Sequence, residues 1–388
     1  MTSSSVSSPP RLYHKADSFV AWSGGCDDHA AFSARIFALQ KRLVDDVNAQ
    51  DAHRRAILEQ ACADLLNPER ASSFRLRPHI IEELRRVSDE DLSRYLFYRY
   101  RYDVFPIEKR LDAFPPCLQI EPTSICNYRC VFCFQTDVAF TRKANGHMGQ
   151  MSFDLFKQVI DQIVGQVEAV TLASRGEPLL CRDIDKMIAY AAGKFLGFKI
   201  NTNAWFLDEA KSHALLAAEP NTLVFSADAA DPALYRTLRV NGDLDRVLSN
   251  IRRFQEIRAR HYSSNRTIVR VSGVRYSNDQ NFEEIEAFWR ALADQVAFVD
   301  YNPWENAYEA PENGVETPCS DLWRRCFVWW DGRVNPCDVD YRSTLAIGSI
   351  VEKTLSELWR GENYEQLRKK HLTQHRQKIT PCRGCAVV

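Results

Sequence analysis

The chain has 388 residues, of which 45% are apolar and 26% are charged, and its formal net charge is −1. These values are typical of a globular protein with two or three domains, and they exclude the strongly basic surface that attracts nucleic acid or anionic membranes. No apolar run is long enough for a transmembrane helix, and the first residues lack the apolar core of a signal peptide. We therefore expect a cytoplasmic protein with reduced cysteines and with no nucleic-acid or membrane partner.

The N-terminal part is predicted to be a short tail followed by a helical extension. Residues 1–26 are rich in serine and lack periodicity, which predicts a disordered tail. Between residues 27 and 112, apolar side chains recur at helical spacing, for example at Phe32, Ile36 and Leu39. A stripe of tyrosines near residue 100 could stack on bases, but we expect it to pack this extension against the next domain.

From residue 113 to 303, short β runs alternate with amphipathic helices. The predicted strands are LQIE (118–121), AVTLA (169–173), FKIN (198–201), TLVFS (222–226), IVRVSG (268–273) and AFVDY (297–301). Strands separated by helices predict βαβ units and a parallel sheet. Six units are too few for a complete TIM barrel, so the sequence predicts a partial (β/α)6 barrel.

Three cysteines directly follow the first predicted strand with the spacing C-x3-C-x2-C: Cys126, Cys130 and Cys133. Barrel enzymes place their chemistry at the C-terminal ends of the strands. Soft metals prefer thiolates, and three of them leave one position open, as in reactive rather than structural metal sites. A [4Fe–4S] cluster normally takes four cysteines, so one iron would need a ligand from a substrate or cosubstrate. A three-cysteine zinc site is the alternative.

This loop at the head of a six-unit barrel resembles that of the radical S-adenosylmethionine (SAM) enzymes. The resemblance implies that the amino and carboxylate groups of SAM occupy the open iron position. It implies reductive cleavage of SAM to methionine and a 5′-deoxyadenosyl radical, which abstracts hydrogen from an unreactive C–H bond. An external one-electron donor such as flavodoxin or ferredoxin would supply the electron. Phe132 matches the aromatic residue that the family favours before the third cysteine.

Segments after the later strands match the same family in the same order. ASRGEP, residues 173–178, resembles the glycine–glutamate–proline segment that holds the methionine amino group, with Gly176 and Glu177 in the matching places. Arg175 stands where the family usually has its first glycine. Further cofactor contacts implied by the resemblance are polar residues after the third and fourth strands: Asn203, Ser226 and Asp228.

Residues 304–388 are rich in cysteine and tryptophan, and they resemble the twitch domain, a shortened SPASM domain that follows many radical SAM barrels. The resemblance implies a second, auxiliary [4Fe–4S] cluster held by four thiolates: Cys319, Cys337, Cys382 and Cys385. The full SPASM pattern continues with more cysteines, so we expect one auxiliary cluster only. A zinc knuckle is the alternative, since C-x2-C is also a zinc spacing.

A fifth cysteine of this region, Cys326, lies too close to Gly332 for the twitch spacing. The segment after Arg325 is predicted to be a strand that turns at the Asp-Gly pair 331–332. In a regular strand, Cys326 points away from Phe327 and Trp329, so we expect it not to be a ligand. The scattered cysteines are expected to be ordinary core thiols: Cys26, Cys62, Cys117 and Cys181.

In twitch and SPASM relatives, two such clusters serve oxidation, epimerisation or cross-linking of a substrate, so the resemblance implies a reaction of this kind. Asp338 follows Cys337 directly, where the sulfatase-maturing relatives carry a base, and a base beside a cluster suits dehydrogenation; Asp340 and Glu177 are rivals. The N-terminal extension lacks the strand alternation of a peptide-recognition module. We therefore expect oxidation or epimerisation of a small carbohydrate- or aminocyclitol-like substrate. Modification of a peptide or protein side chain, and a non-catalytic iron–sulfur or zinc protein, stay open as alternatives.

Overall fold

The computed structural model describes residues 12–15, 18–23, 29–45, 51–67 and 74–388. Its strands are β1 (Phe19–Ser23), β2 (Cys117–Ile120), β3 (Arg129–Cys130), β4 (Ala169–Leu172), β5 (Gly197–Thr202), β6 (Thr222–Ser226), β7 (Arg239–Val240), β8 (Ile268–Arg275), β9 (Gln295–Asp300), β10 (Arg325–Val328), β11 (Arg333–Asn335) and β12 (Gly348–Ser349). Its α-helices are α1 (His29–Asp45), α2 (Ala52–Leu66), α3 (Pro78–Leu84), α4 (Leu92–Asp103), α5 (Phe105–Glu108), α6 (Val138–Thr141), α7 (Phe153–Ile163), α8 (Ile184–Ala191), α9 (Glu209–Ala218), α10 (Pro232–Leu238), α11 (Leu244–His261), α12 (Phe282–Arg290), α13 (Asp321–Arg324), α14 (Leu355–Trp359) and α15 (Glu362–Leu372).

The main sheet has ten strands in the order β1-β9-β8-β6-β5-β4-β2-β10-β11-β12. Its six central members, from β9 to β2, are all parallel to their neighbours. The predicted partial (β/α)6 barrel is therefore confirmed, and each predicted strand lies within two residues of its observed bounds. Every side chain of β4 is buried, as expected for a parallel strand covered on both faces.

The helices of the barrel form where apolar periodicity and capping residues coincide. In α7, Phe156, Val159 and Ile163 are buried on one face, and the Ser152 hydroxyl accepts a hydrogen bond from the Leu155 N–H at the helix start. Side-chain caps also begin later helices of the barrel, at Asp208, Asp231, Asp243 and Asn281. Within the described residues, no helix is long and apolar enough to cross a membrane.

The C-terminal region continues the barrel sheet rather than standing apart from it. Strand β10 pairs in parallel with β2, and β11 returns antiparallel to β10 through the predicted Asp-Gly turn. Gly332 in that turn has a φ of +83°, a conformation that favours glycine. An open sheet edge leaves backbone N–H and C=O groups without hydrogen-bond partners. Pairing with β10 provides such partners for β2. The predicted domain boundary at residue 304 is therefore not a break in the sheet.

The N-terminal extension packs at the opposite end of the barrel from the cysteine loop. Apolar residues of helices α1–α5 form its core. This core also includes Cys117 and Ala169, which are the first residues of β2 and β4. The tyrosine stripe is part of this core: Tyr95, Tyr98 and Tyr100 are buried. The prediction that these rings pack the extension against the next domain is thus confirmed. The extension covers the N-terminal ends of β2 and β4.

The prediction of a disordered tail over residues 1–26 is wrong for two short stretches. Phe19–Ser23 pairs antiparallel with β9 and covers that edge of the sheet. Further upstream, Tyr13 lies beside Val387 in a parallel bridge. Neither pairing has a local signal, because each depends on an edge formed by residues more than 270 positions away. Cys26 lies outside the described residues.

Candidate functional site

A cavity of about 360 Å³ opens at the C-terminal ends of the parallel strands, and Cys126, Cys130 and Cys133 line it. A two-stranded ribbon of β3 and β7 holds the loop, with Cys130 opposite Arg239. The Cys133 N–H donates to the Cys130 carbonyl at 3.0 Å. The three cysteines of the predicted loop therefore share one concave site at the expected rim of the barrel.

The thiols of this loop have raised pKa values in the absence of a bound cation. Burial raises the pKa of Cys126 to about 12 and that of Cys130 to about 11. The pKa of Cys133 is also raised, first by burial and then by the neighbouring Cys130. A bound cation is then required to deprotonate them, so metal binding here would release protons. All three are free cysteines, and this donor set fits an iron–sulfur cluster.

The segment around Gly176 lies directly against the cysteine loop. A Cβ at Gly176 would collide with the carbonyl oxygens of Thr123 and Ile125, so only glycine allows this approach. The next residue, Glu177, donates its backbone N–H to the Ile125 carbonyl at 2.9 Å. The close approach expected at Gly176 is therefore present.

Glu177 is buried at the cavity wall and ties two strand ends together. Its carboxylate accepts hydrogen bonds from the Thr202 hydroxyl at 2.6 Å, the Asn203 N–H at 2.7 Å and the Leu179 N–H at 3.1 Å. Burial raises the pKa of Glu177 above its ordinary value, and these donors oppose the rise. A carboxylate with such donors is rigidly placed, and it faces the cavity as an acceptor.

The other predicted contact residues also line the first cavity: Phe132, Asn203, Ser226 and Asp228. The Asn203 amide donates to Asn127 of the cysteine loop at 2.9 Å. Asp228 has both carboxylate oxygens engaged, one by the Val274 N–H at 2.7 Å and one by Arg239 at 2.6 Å. As cofactor contacts, these residues stay predictions.

Arg239 is a site residue that sequence reasoning missed. Its guanidinium is buried in the cavity wall beside Asp228, and it interacts electrostatically with Cys130. Its charge persists, because the neighbouring Asp228 and Cys130 raise its pKa against the effect of burial. The short strand that carries it has only two residues, too few for a periodic signal.

Several buried polar atoms in the cavity wall have no hydrogen-bond partner among the described residues: Ser174 Oγ, Asn201 Oδ1 and Asn302 Nδ2. An unsatisfied buried polar atom costs about 1–3 kcal/mol, so such atoms mark places where a ligand would bind. Ser174 also has a φ of +126°, a strained value for a serine. Ser174 and Asn302 were not anticipated from the sequence.

A second cavity gathers the four predicted auxiliary ligands: Cys319, Cys337, Cys382 and Cys385. Burial raises the pKa of Cys319 to about 11 and raises those of the other three. Arg376 connects two of the chain segments that carry these cysteines, because its guanidinium donates hydrogen bonds to the Thr317 and Cys385 carbonyls at 2.6 Å each. Four partly buried thiols around one cavity fit a fully ligated cluster.

The described residues contain no group of three or more His, Cys, Asp or Glu side chains that could hold a single metal ion. Both zinc alternatives therefore gain no support from the geometry.

Cys326 does not line the second cavity. It is fully buried and packs with Val328 in the main core, whereas the Phe327 and Trp329 rings pack together on the other face of the strand at 5.5 Å. This is the alternation that the sequence predicts.

Asp338 lines the second cavity and not the first. One carboxylate oxygen lies 4.0 Å from the Cys337 sulfur. This position does not favour the predicted role of Asp338 as a base toward a substrate in the first cavity. Asp340, the alternative candidate for the base, accepts hydrogen bonds from the Tyr308 hydroxyl at 2.8 Å, the Thr344 hydroxyl at 2.7 Å and the Leu345 N–H at 2.7 Å. Both oxygens of its carboxylate are therefore hydrogen-bonded within the protein.

A buried ion pair links the barrel to the C-terminal region. Arg175 donates to both oxygens of Glu121 at 2.6 Å each and to the Tyr341 carbonyl at 2.8 Å. Its guanidinium lies 4.2 Å from the centre of the Trp329 ring. Arg175, which stands in place of the family's glycine, therefore fastens the segment carrying Glu177 to the hairpin of the second region.

An aromatic cluster fills the space between the two cavities. Phe134 and Tyr341 stack with ring centres 4.8 Å apart, and both Cys133 and Cys337 pack against the cluster. One cysteine of each site therefore packs against the same aromatic cluster.

Two family models match this chain. The radical SAM superfamily model matches residues 120–288, and the iron–sulfur cluster-binding SPASM domain model matches residues 319–386. These ranges contain the two sets of cysteines that line the two cavities.

Among curated proteins, the chain is similar to the GTP 3′,8-cyclase of Clostridium botulinum. The two are 24% identical over 189 residues, which is 48% of this chain and 56% of the cyclase. The chain therefore spans little more than half the length of this relative.

Among solved structures, the chain is similar to BtrN in complex with AdoMet and 2-DOIA, with 17% identity and a TM-score of 0.48 over 71% of this chain and 94% of that one. It is also similar to Streptococcus suis SuiB bound to the precursor peptide SuiA, with 17% identity and a TM-score of 0.50 over 71% of each chain. At these identities the likeness concerns the fold alone.

Proposed function

Because the chain belongs to the radical SAM superfamily and carries a C-terminal SPASM domain, we propose that it oxidises or epimerises a small carbohydrate- or aminocyclitol-like molecule. The observation that carries this proposal is the first cavity, where three cysteines and unpartnered polar atoms share a space of about 360 Å³. A space of this size lies within the range of small-molecule binding sites in proteins.

The enzyme uses SAM, a [4Fe–4S] cluster and auxiliary iron–sulfur chemistry. We propose that Cys126, Cys130 and Cys133 hold the first cluster and that the four thiols of the second cavity hold the auxiliary one. When bound, the first cluster supplies the electron that cleaves SAM, and the auxiliary cluster supplies an electron acceptor. An external reductant must deliver the first electron.

The residues of the chain would orient SAM by complementary charge. Glu177 presents a fixed carboxylate to an ammonium group, and Arg239 presents a buried guanidinium to a carboxylate. Asn203 fixes the position of Glu177 relative to the cysteine loop. Its backbone N–H donates to Glu177, and its side-chain amide donates to Asn127 of the loop. Such fixed groups bring the reacting atoms together without reorganisation.

The far wall of the cavity is formed by residues after β9, and it suits a polyhydroxylated substrate. Asn302 offers an unpartnered N–H donor, and Trp304 contributes an aromatic ring to the same wall. A donor beside an apolar ring face is a common way to hold a sugar-like ring, with hydroxyls on one edge and C–H groups on the faces.

Peptide modification is the second candidate. Peptides often bind by adding a strand to an open sheet edge. The edge of β9 is already paired with β1, so strand addition would use the terminal strands of the sheet, β1 and β12.

The substrate class can be tested by its effect on 5′-deoxyadenosine formation under reducing conditions. We expect inositols, aminocyclitols or hexoses to stimulate SAM cleavage at least about tenfold, since a bound substrate aligns the C–H bond with the radical. Deuterium from a C–D-labelled stimulating compound should appear in the 5′-deoxyadenosine. Stimulation by cysteine- or serine-containing peptides, with none by the polyols, would favour the second candidate.

The ligand set of the auxiliary site can be tested by iron and sulfide analysis of single variants. Alanine at any of its four cysteines should lower iron from about eight toward about four per chain, because a cluster normally needs all four thiolates. The matched control is Cys326→Ala, which removes a fully buried thiol from the adjacent core and should leave iron near its original value. A clear loss of iron for Cys326→Ala, with none for Cys319→Ala, would contradict this ligand set.

A further inference from the structure

A lysine from the N-terminal stretch reaches the auxiliary cavity. Lys15 lines this cavity together with the four cysteines. Its side chain is 11% exposed, its ammonium lies 3.6 Å from an Asp321 carboxylate oxygen, and it lies 5.1 Å from the centre of the Trp304 ring. No sequence pattern connects residue 15 with these cysteines, which lie more than 300 positions later in the chain.

The backbone fixes this lysine beside the C-terminal cysteines. The Tyr13 N–H donates to the Ala386 carbonyl at 2.9 Å, and the Val388 N–H donates to the Tyr13 carbonyl at 3.1 Å. These two bonds flank the bridge between Tyr13 and Val387, two residues beyond Cys385. The position of Lys15 is therefore set by the same chain segment that carries two of the proposed ligands.

Two carboxylates of this cavity act on the ammonium of Lys15, those of Asp338 and Asp321. Asp321 also pairs with Arg324 at 3.2 Å and with Arg325 at 3.4 Å, so these two negative charges are shared with three cations. Asp338 lies beside Cys337. The positive charge of Lys15 is therefore only partly offset, and it stabilises negative charge placed next to it in the cavity.

We propose that Lys15 sets the reduction potential of the auxiliary cluster, stabilising its reduced form over its oxidised form. A cluster held by four thiolates is anionic, and one added electron makes it more so. A nearby buried cation favours the more negative state, and burial limits screening by salt. Asp338 acts in the opposite direction. This inference rests on the ligand set proposed above, which iron analysis tests separately.

The test is a potentiometric titration monitored by electron paramagnetic resonance. It is made in a full-length protein in which Cys126, Cys130 and Cys133 are alanine, so that only the auxiliary cluster responds. Lys15→Met keeps the length of the side chain and removes its charge. We expect its potential to fall by an amount equivalent to at least a tenfold change in the one-electron equilibrium, about 59 mV.

Two further variants separate charge from packing. Lys15→Arg keeps the charge, so its potential should stay closer to that of the parent than the potential of Lys15→Met does. Asp338→Asn removes a negative charge, so its potential should rise. Equal potentials for the Met and Arg variants, or a fall for Asp338→Asn, would overturn the proposal. If Lys15→Met lost its auxiliary iron, Lys15→Gln would replace it as the neutral variant in the same comparison with Lys15→Arg.

Discussion

A protein in which Cys126, Cys130 and Cys133 are all alanine is expected to form no 5′-deoxyadenosine and to keep about four iron atoms per chain. These three thiols line the first cavity and the auxiliary thiols line the second, so loss of one set leaves the other complete. The measurements are iron and sulfide content, and 5′-deoxyadenosine formation from SAM under reducing conditions.

The matched control for this variant is Cys62→Ala. Cys62 is a fully buried thiol in the core of the N-terminal extension, at the other end of the barrel from the cysteine loop. Its loss should leave iron content and SAM cleavage intact and cost only packing. Formation of 5′-deoxyadenosine by the triple variant at the parent rate would refute the assignment of the first cavity.

Changing Glu121 to Gln is expected to destabilise the fold by about 3–5 kcal/mol, the usual cost of breaking a buried ion pair on one side. The side chains of Glu121 and Arg175 are 0% and 2% exposed, so the unpaired guanidinium would have no water to replace its partner. The Trp330 N–H, which donates to Glu121 at 3.3 Å, would also lose a charged acceptor. The measurement is the free energy of unfolding by denaturant under anaerobic conditions.

The control for Glu121→Gln is Glu108→Gln. Glu108 pairs with Arg110 at 2.9 Å, but both side chains are 44% exposed, so we expect a loss of no more than about 1 kcal/mol. SAM affinity gives a second measurement, because the released Arg175 segment also carries Gly176 and Glu177. A Glu121→Gln variant as stable as Glu108→Gln, with unchanged SAM affinity, would show that the buried pair does not fasten the two regions.

The sequence was most informative where a feature depends on neighbours in the chain. The spacing of Cys126, Cys130 and Cys133 predicts a cluster loop, and the structure places the three cysteines along one cavity. The Asp-Gly turn and strand alternation separated Cys326 from the auxiliary cysteines, and the structure places it in the main core. In each case the deciding contacts are local, so the pattern of residue types carries them.

Sequence reasoning was least informative about side chains that meet across long stretches of chain. Asp338 was singled out for its place after Cys337, yet it faces the second cavity and not the first. Arg239 and Asn302 line the first cavity without any motif of their own. No spacing rule could find them, because the ends of separate strands meet only when the sheet is formed.

The sequence by itself determined the order of strands and helices, the cluster loop and the four cysteines of the second region, because periodicity, caps and ligand spacing are written along the chain. Only the tertiary structure decided which distant groups share a site. It placed Lys15 among the auxiliary cysteines, and it used Arg175 to join the barrel to the C-terminal hairpin. The physical reason is that burial and charge pairing depend on three-dimensional packing, which brings together residues that no local pattern connects.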